Sequence, residues 1–385
     1  MNQSITPSQR EVLQQEITKR GFSRRSLGRF AALATAGAAL PFYNEAALAQ
    51  LSMVANMPAD AVKINANENP LGPCPEAAEA MYGVIKKGGR YLYEETFGFS
   101  KTLADQEGVK PDYVQPWGGS SAPLHQAVMA FTSKERPFVI AEPGYEAGER
   151  AAKFIGSKVI RVPLRADSSH DVKAMAAVSS TAGLIYVCNP NNPTGSVTMR
   201  SDIEWLVKNK PAGSVLLLDE AYIHLSNEQS GMEWVAADKD VIILRTFSKL
   251  YGMAGLRAGA AIARPDLLAK IQPYTAGAFA VTGMVGANAS LKVKGLVAER
   301  RKIIGDIRED VLGFVSKKGY KFLPTVSNKF MLDVRMPATE FQKKMMAEKI
   351  YVGRPWAAVP THSRISIGTA DEMAKFKAAF TKIMG

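Results

Sequence analysis

The chain has 385 residues, with 48 Lys and Arg against 36 Asp and Glu, a formal charge of +12. Hydrophobic residues at 46% and charged residues at 22% exclude a mostly disordered chain. The length exceeds one ordinary core, which points to a large domain with a smaller companion.

Two cysteines, Cys74 and Cys188, exclude a disulfide scaffold and a four-thiolate zinc site. The four histidines, His125, His170, His224 and His362, have no metal-ligand spacing.

The first segment carries three parts in order. Ser23-Arg24-Arg25-Ser26-Leu27 sets paired arginines ahead of an apolar stretch at 30–40, and Ala47-Leu48-Ala49 follows as a small-x-small cleavage pattern. Together they read as a twin-arginine export signal over 1–49, cleaved after Ala49 by way of the twin-arginine export machinery, which predicts a periplasmic protein. An amphipathic N-terminal helix is the structural alternative. The apolar stretch is too short to span about 30 Å of hydrocarbon as a helix, so no stable membrane anchor is expected. Removing 1–49 leaves 42 basic and 33 acidic residues, a charge of +9, so export accounts for only part of the basicity.

From about Gln50 to Tyr93 the chain reads as loop-rich, centred on Asn65-Ala66-Asn67-Glu68-Asn69-Pro70-Leu71-Gly72-Pro73. Three Asn and two Pro there predict turns and a fixed backbone near a site. Short apolar runs follow at 138–141, 159–162, 184–188, 215–218, 241–244 and 260–263, alternating with helical stretches. Each ends in a polar or Gly/Pro turn, as buried strands of a mainly parallel sheet do. Ligands in such sheets collect at strand C-terminal ends. A charged helix is expected at 296–315, then strands near 330–334 and 364–367. The expected α/β layout is an N-terminal arm over 50–92, a large domain over 93–285 and a smaller α/β domain over 286–385.

Three strand ends carry unusual polar groups. Asn189-Pro190-Asn191-Asn192-Pro193-Thr194-Gly195 follows the first, Asp219-Glu220-Ala221-Tyr222 the second, and Arg245-Thr246-Phe247-Ser248-Lys249 the third, which runs on to Arg257. Singly each has a plain reading: an acid at a strand end often caps a helix, and a lysine in a basic protein is usually solvated. Jointly they suit a pyridine-aldehyde cofactor. Lys249 supplies an amine that bonds the aldehyde and later moves a proton. Asp219 can hold a pyridine nitrogen protonated, and Asn192 and Tyr222 can donate to a ring oxygen. Thr246, Ser248 and Arg257, with Ser120 and Ser121 after Gly118-Gly119 at a helix start, suit a phosphate.

Through the stretches at 65–73, 189–195, 219–222 and 245–259, closed by Arg364-Ile365-Ser366-Ile367-Gly368-Thr369, the chain resembles the fold-type I pyridoxal-phosphate aminotransferases. The likeness is strongest to the histidinol-phosphate aminotransferase subgroup and covers about 63–368. It implies pyridoxal 5′-phosphate as cofactor and a large domain with a mainly parallel, seven-stranded sheet. It implies further that Tyr145 stacks on the cofactor ring and that Tyr91 reaches the phosphate of a partner subunit in a homodimer. Arg364 would grip the substrate α-carboxylate, with Arg354 and the Asn67 loop also on the substrate side. Three departures stand out. Ser121-Ala122-Pro123 lacks the acid often found after the phosphate turn, Lys329 precedes Phe330 where the family commonly reads Asn-Phe, and the connection from Arg354 to Arg364 is short.

The expected reaction is amino transfer between an L-amino acid, or a histidinol-phosphate-like amine, and a 2-oxo acid. Diversion of the same cofactor chemistry to an oxidase or a lyase is the alternative. A basic protein binding nucleic acid would cluster Lys and Arg with aromatics. Here Lys86-Lys87, Arg300-Arg301-Lys302 and Lys343-Lys344 are dispersed, so no nucleic-acid partner is expected.

Overall fold

A computed structural model describes residues 57–275 and 277–385; the export-signal expectation over 1–49 lies outside the described residues. Eleven strands occur among them. Seven form one sheet: β2 (Val114–Trp117), β3 (Phe138–Glu142), β4 (Val159–Pro163), β5 (Leu184–Cys188), β6 (Val215–Asp219), β7 (Val241–Thr246) and β8 (Gly259–Ile262). Their order is β2-β8-β7-β6-β5-β3-β4. All pairs are parallel except those of β8, which runs antiparallel to both β7 and β2.

The burial of each strand follows from its place. β5, β6 and β7 sit centrally, are covered on both faces and are buried at every position, which is why Val, Ile and Leu fill them without alternation. β4, at one edge, is buried only at Val162. β2, at the other edge, reads Val-Gln-Pro-Trp and has no apolar run to betray it. Pro116 cannot donate to a ladder, and an edge strand is where that is tolerated.

Two small sheets complete the strands. β1 (Val62–Ile64) lies parallel to β10 (Ile350–Val352), and β9 (Lys329–Asp333) lies antiparallel to β11 (His362–Ser366). The stretch between 50 and 93 is therefore not all loop: besides β1 it holds a helix, Pro75–Ile85, with Pro75 in its first turn. The expected helix at 296–315 is Leu296–Lys317. Helix Ala370–Met384 opens on a capping box between Thr369 and Glu372. Its Phe376 and Phe380 pack with Phe341 and Tyr320, Phe380 edge-on to Tyr320 at 4.9 Å. No helix among the described residues is long and apolar enough to cross a membrane.

The segment at 65–72 is tied to the loop after β7. Asn69 Nδ2 donates to Leu250 O at 2.7 Å, and buried Arg300, from the long helix, donates to both Gly72 O and Leu250 O. This brings Asn65, Asn67 and Lys249 to one place.

Candidate active site

Sheet register sets the site. Trp117 pairs with Gly259, and Gly259 with Thr246, so β2, β8 and β7 end level with one another. Gly118–Ser121, Arg257 and Ser248 therefore leave the sheet side by side. Gly119 has φ +101, and a Cβ there would collide with the Arg257 guanidinium. Arg257 itself has φ +56 and donates from Nη1 to Ala254 O at 2.7 Å and Ser248 Oγ at 3.3 Å. Thr246 Oγ1 donates to Ser248 Oγ at 2.9 Å. Ser120 and Ser121 are buried at the start of helix Ser121–Phe131, whose free N–H groups carry the positive dipole end. A guanidinium, hydroxyls and helix N–H groups thus converge on a concavity that only glycine leaves open. That is a cradle for a dianion.

One strand further on, Cys188 pairs with Asp219 and Asp219 with Leu244. Asp219 is buried; its Oδ1 accepts the Ala221 N–H at 3.0 Å and its Oδ2 accepts the Tyr186 hydroxyl at 2.8 Å. Burial, and then the Asp219 carboxylate, push the Tyr186 phenol well above its usual range, so it stays a donor. Lys249 is buried, with Nζ 5.7 Å from the centre of the Tyr222 ring.

Asn67 links the remaining groups. Its Nδ2 donates to Tyr222 Oη at 3.1 Å and to Asn192 Oδ1 at 3.2 Å. Its backbone is left-handed, φ +53, a conformation Asn tolerates. Ser366 of β11 holds it there, accepting the Asn67 N–H and donating to Asn67 Oδ1, both at 2.9 Å. Arg364, two residues earlier on the same strand, donates to Asn192 Oδ1 at 3.1 Å and Asn65 O at 2.6 Å. Lys249, Asp219, Tyr222, Asn192, Asn67 and Arg364 therefore stand around one space, with the cradle of Ser120, Ser121, Thr246, Ser248 and Arg257 on its sheet side.

Among the described residues, Arg354 and Tyr91 have no hydrogen bond to that cage. Tyr145 is half-buried on the turn after β3. Arg354 forms an ion pair with Glu146, the residue after Tyr145, and stacks 4.0 Å from the Trp356 ring centre; Arg364 lies 5.0 Å from the same ring. Tyr91 is 70% exposed and stacks on Tyr93 at 5.5 Å, lining a groove of about 790 Å³ with Phe97 and Phe279. This chain does not bring Tyr91 to its own cage.

Tyr186, Glu146 and Trp356 were not legible as site residues. Tyr186 lies diagonally across from Asp219, on the neighbouring strand and two positions back from its register partner. An aromatic reaches that far, but only once register is known.

The family model "Aminotransferase class I and II" matches residues 59–380. The chain belongs to the class I and II aminotransferases. It is 30% identical over 335 residues to the histidinol-phosphate aminotransferase of Moorella thermoacetica, covering 84% of this chain and 86% of that one. It is also 30% identical over 315 residues to the aromatic amino acid aminotransferase of Cutibacterium acnes, covering 80% and 88%. The solved histidinol-phosphate aminotransferase of Sinorhizobium meliloti, in complex with pyridoxal-5′-phosphate, superposes with a TM-score of 0.80 at 25% identity, covering 90% of this chain and 95% of that one.

This aminotransferase is thus a pyridoxal-phosphate enzyme of fold type I, and its residues fit the cofactor. The glycine-opened cradle is shaped for a phosphate, a buried acid held by Tyr186 suits the pyridinium nitrogen, and a buried amine suits the aldehyde. The described residues hold no cluster that would bind a metal ion.

Proposed function

We propose that this aminotransferase carries an amino group from an L-amino acid to a 2-oxo acid in two half-reactions at the Lys249 site, as a homodimer exported to the periplasm. The convergence of Lys249, Asp219, the Tyr222–Asn192 pair and Arg364 on one space carries this reading.

Bound pyridoxal phosphate supplies an aldehyde that amines condense with and a ring that takes up the electron pair left when the substrate Cα–H bond breaks. The protein's share follows from its groups. Arg364 grips the α-carboxylate in a bidentate pair and so orients the Cα–H bond. Lys249 would hold the aldehyde carbon, and its amine, once free, would take that proton from Cα and deliver it to the former aldehyde carbon on the other side of the nitrogen. Asp219, fixed by Tyr186 and the Ala221 N–H, keeps a proton on the pyridine nitrogen. Tyr222 and Asn192 hold the ring oxygen, and Tyr145 covers the ring.

The Arg354–Glu146 ion pair bears on the substrate. By the family resemblance Arg354 sits near an arginine linked to the phosphate of a phosphorylated substrate. Such a phosphate must displace a carboxylate already paired with it, which favours an unphosphorylated amino acid over histidinol phosphate. Purified enzyme supplied with 2-oxoglutarate tests this: kcat/KM is expected to be higher for an L-amino acid, and a preference for histidinol phosphate would overturn it.

Exposed Tyr91, Tyr93 and Phe97, which line one groove, with Tyr82 and Ile85 also exposed on the preceding helix, support dimerisation, with Tyr91 serving the partner's phosphate cradle. A fully active monomer would contradict this. The β1–β10 pairing and the Asn67 contacts support an N-terminal arm that serves both the smaller domain and the site. The signal motif at 23–49 supports export of a folded, cofactor-loaded protein. Fractionation of the Arg24→Lys/Arg25→Lys variant is the test: it should stay in the cytoplasm, and undiminished export would refute the signal.

A further inference from the structure

A second lysine lies in the site and has no part in the reaction just described. Lys329 opens β9, pairs in register with Ser366, and is fully buried. Its Nζ lies 3.2 Å from the centre of the Tyr222 ring, directly against the face, and donates to Ser327 Oγ at 2.9 Å. Ser327 lies in a turn anchored to the rest of the cage: Thr325 Oγ1 accepts the Ser327 N–H and donates to Lys329 O, while Asn328 Nδ2 donates to Asn67 O. Tyr222 is therefore held at two places. Asn67 holds its hydroxyl, and Lys329 holds its face.

A buried lysine is costly unless something uses it, because an amine sealed from water loses its hydration whether charged or neutral. Methionine or leucine would fill the same volume at no such cost. Charged and titratable groups face the amine from each neighbouring element: Cys188 from β5, Asp219 from β6, Lys249 from the turn after β7, and Arg364 from β11. Two of these are cations beside one carboxylate, so burial first, with Arg364 and Lys249 adding to it, holds the Lys329 ammonium well below its ordinary range. In either protonation state it presents N–H groups to the electron-rich face of Tyr222. Withdrawing electron density from that ring makes the Tyr222 hydroxyl a stronger donor.

We propose that Lys329 is a positioning residue for Tyr222: its amine fixes the phenol ring face-on and strengthens the Tyr222 hydroxyl as a donor to the cofactor's ring oxygen. A stronger donor stabilises the anionic ring oxygen, which lowers the proton affinity of the nitrogen that joins Lys249 to the cofactor. Lys329 thus helps set the pH above which that nitrogen is unprotonated. The inference rests on the proposed role of Tyr222, and its test is spectroscopic, so it needs no turnover.

The test is the absorbance of the bound cofactor as a function of pH in Lys329→Met, Lys329→Gln and Ser327→Ala holoenzymes, each checked for native circular dichroism. Lys329→Met removes every N–H from the ring face and should raise the midpoint by at least about half a pH unit. Lys329→Gln keeps an N–H donor and should fall between Met and wild type. Ser327→Ala removes the acceptor that aims the amine and should shift the midpoint the same way by less, so the proposal stands or falls even where Lys329→Met does not fold. A midpoint unmoved in Lys329→Met or in Ser327→Ala would overturn it. So would equal shifts in Met and Gln, which would mark Lys329 as packing alone. A wild-type cofactor band that does not titrate at all would overturn the Tyr222 role and this inference together.

Discussion

Gly119 and Gly118 are neighbours with opposite expectations. At Gly119 the backbone has φ +101, where an L side chain is strained, and an added Cβ would collide with the Arg257 guanidinium. At Gly118 the nearest atoms, Arg257 Cβ and O, are 3.8 Å away, an ordinary contact. Gly119→Ala can relieve its strain only by shifting the turn, which carries Ser120 and the helix N–H groups out of line, and binding the phosphate must restore them. Holding an L residue there costs about 1–3 kcal/mol, and losing the guanidinium's charge-assisted bond costs about 1.5–3 kcal/mol. At about 1.4 kcal/mol per tenfold, a combined loss of about 2.5–6 kcal/mol weakens pyridoxal phosphate binding by about two to four orders of magnitude. Equilibrium dialysis of the cofactor against both variants measures this. An affinity for Gly119→Ala within about threefold of wild type, or an equal loss in Gly118→Ala, would refute the cradle.

Two further expectations concern stability. Arg245 is buried between Glu220, at 2.9 Å, and Glu107, at 3.0 Å. Arg245→Met strands the buried Glu220 carboxylate and should cost about 3–5 kcal/mol in denaturant unfolding. Glu204→Gln, on the exposed pair with Lys208, should cost about 0.5 kcal/mol or less; similar losses in the two would be inconsistent with this. His170 is buried with Nδ1 2.7 Å from Thr198 Oγ1, and desolvation lowers its pKa to about 4 from 6.5. Because the folded state takes up its proton later than the unfolded chain does, stability is full above pH 6.5 and falls as pH drops toward 4. The loss reaches about 3 kcal/mol at its low end. The slope of stability against pH over that window should flatten in His170→Gln; parallel slopes would count against it.

The parts of the fold that could be read in the sequence are those where the local pattern and the tertiary environment agree. β5, β6 and β7 are buried on both faces, so their apolar runs are unbroken, and the residues just past them are the polar ones that line the site. β2 carries Gln115 and Pro116 because it is an edge, and β1 and β10 have three residues each, too few for a periodicity. Helix Pro75–Ile85 was masked by the Asn and Pro cluster before it, although Pro75 is itself a first-turn signal. In the site, Asn192, Asp219, Tyr222, Ser248 and Lys249 were legible because they sit at strand ends; Arg364, in the middle of β11, was legible only through the family pattern. Glu146 against Arg354, 208 positions apart, was not, since nothing local in either residue names the other. Lys329 was visible as a departure from the family pattern. Its burial was not, because lysine is ordinarily the residue least expected inside.

The central claim is that Lys249 sits in a cage that moves an amino group between two carboxylate substrates. The most direct measurement supplies purified protein with an L-amino acid, with and without 2-oxoglutarate, and follows glutamate, ammonia and peroxide together. Wild type should form glutamate in proportion to the 2-oxo acid consumed, with the parallel-line kinetics of two half-reactions, and Lys249→Ala should form none. Ammonia or peroxide released without any need for a 2-oxo acid would contradict the account.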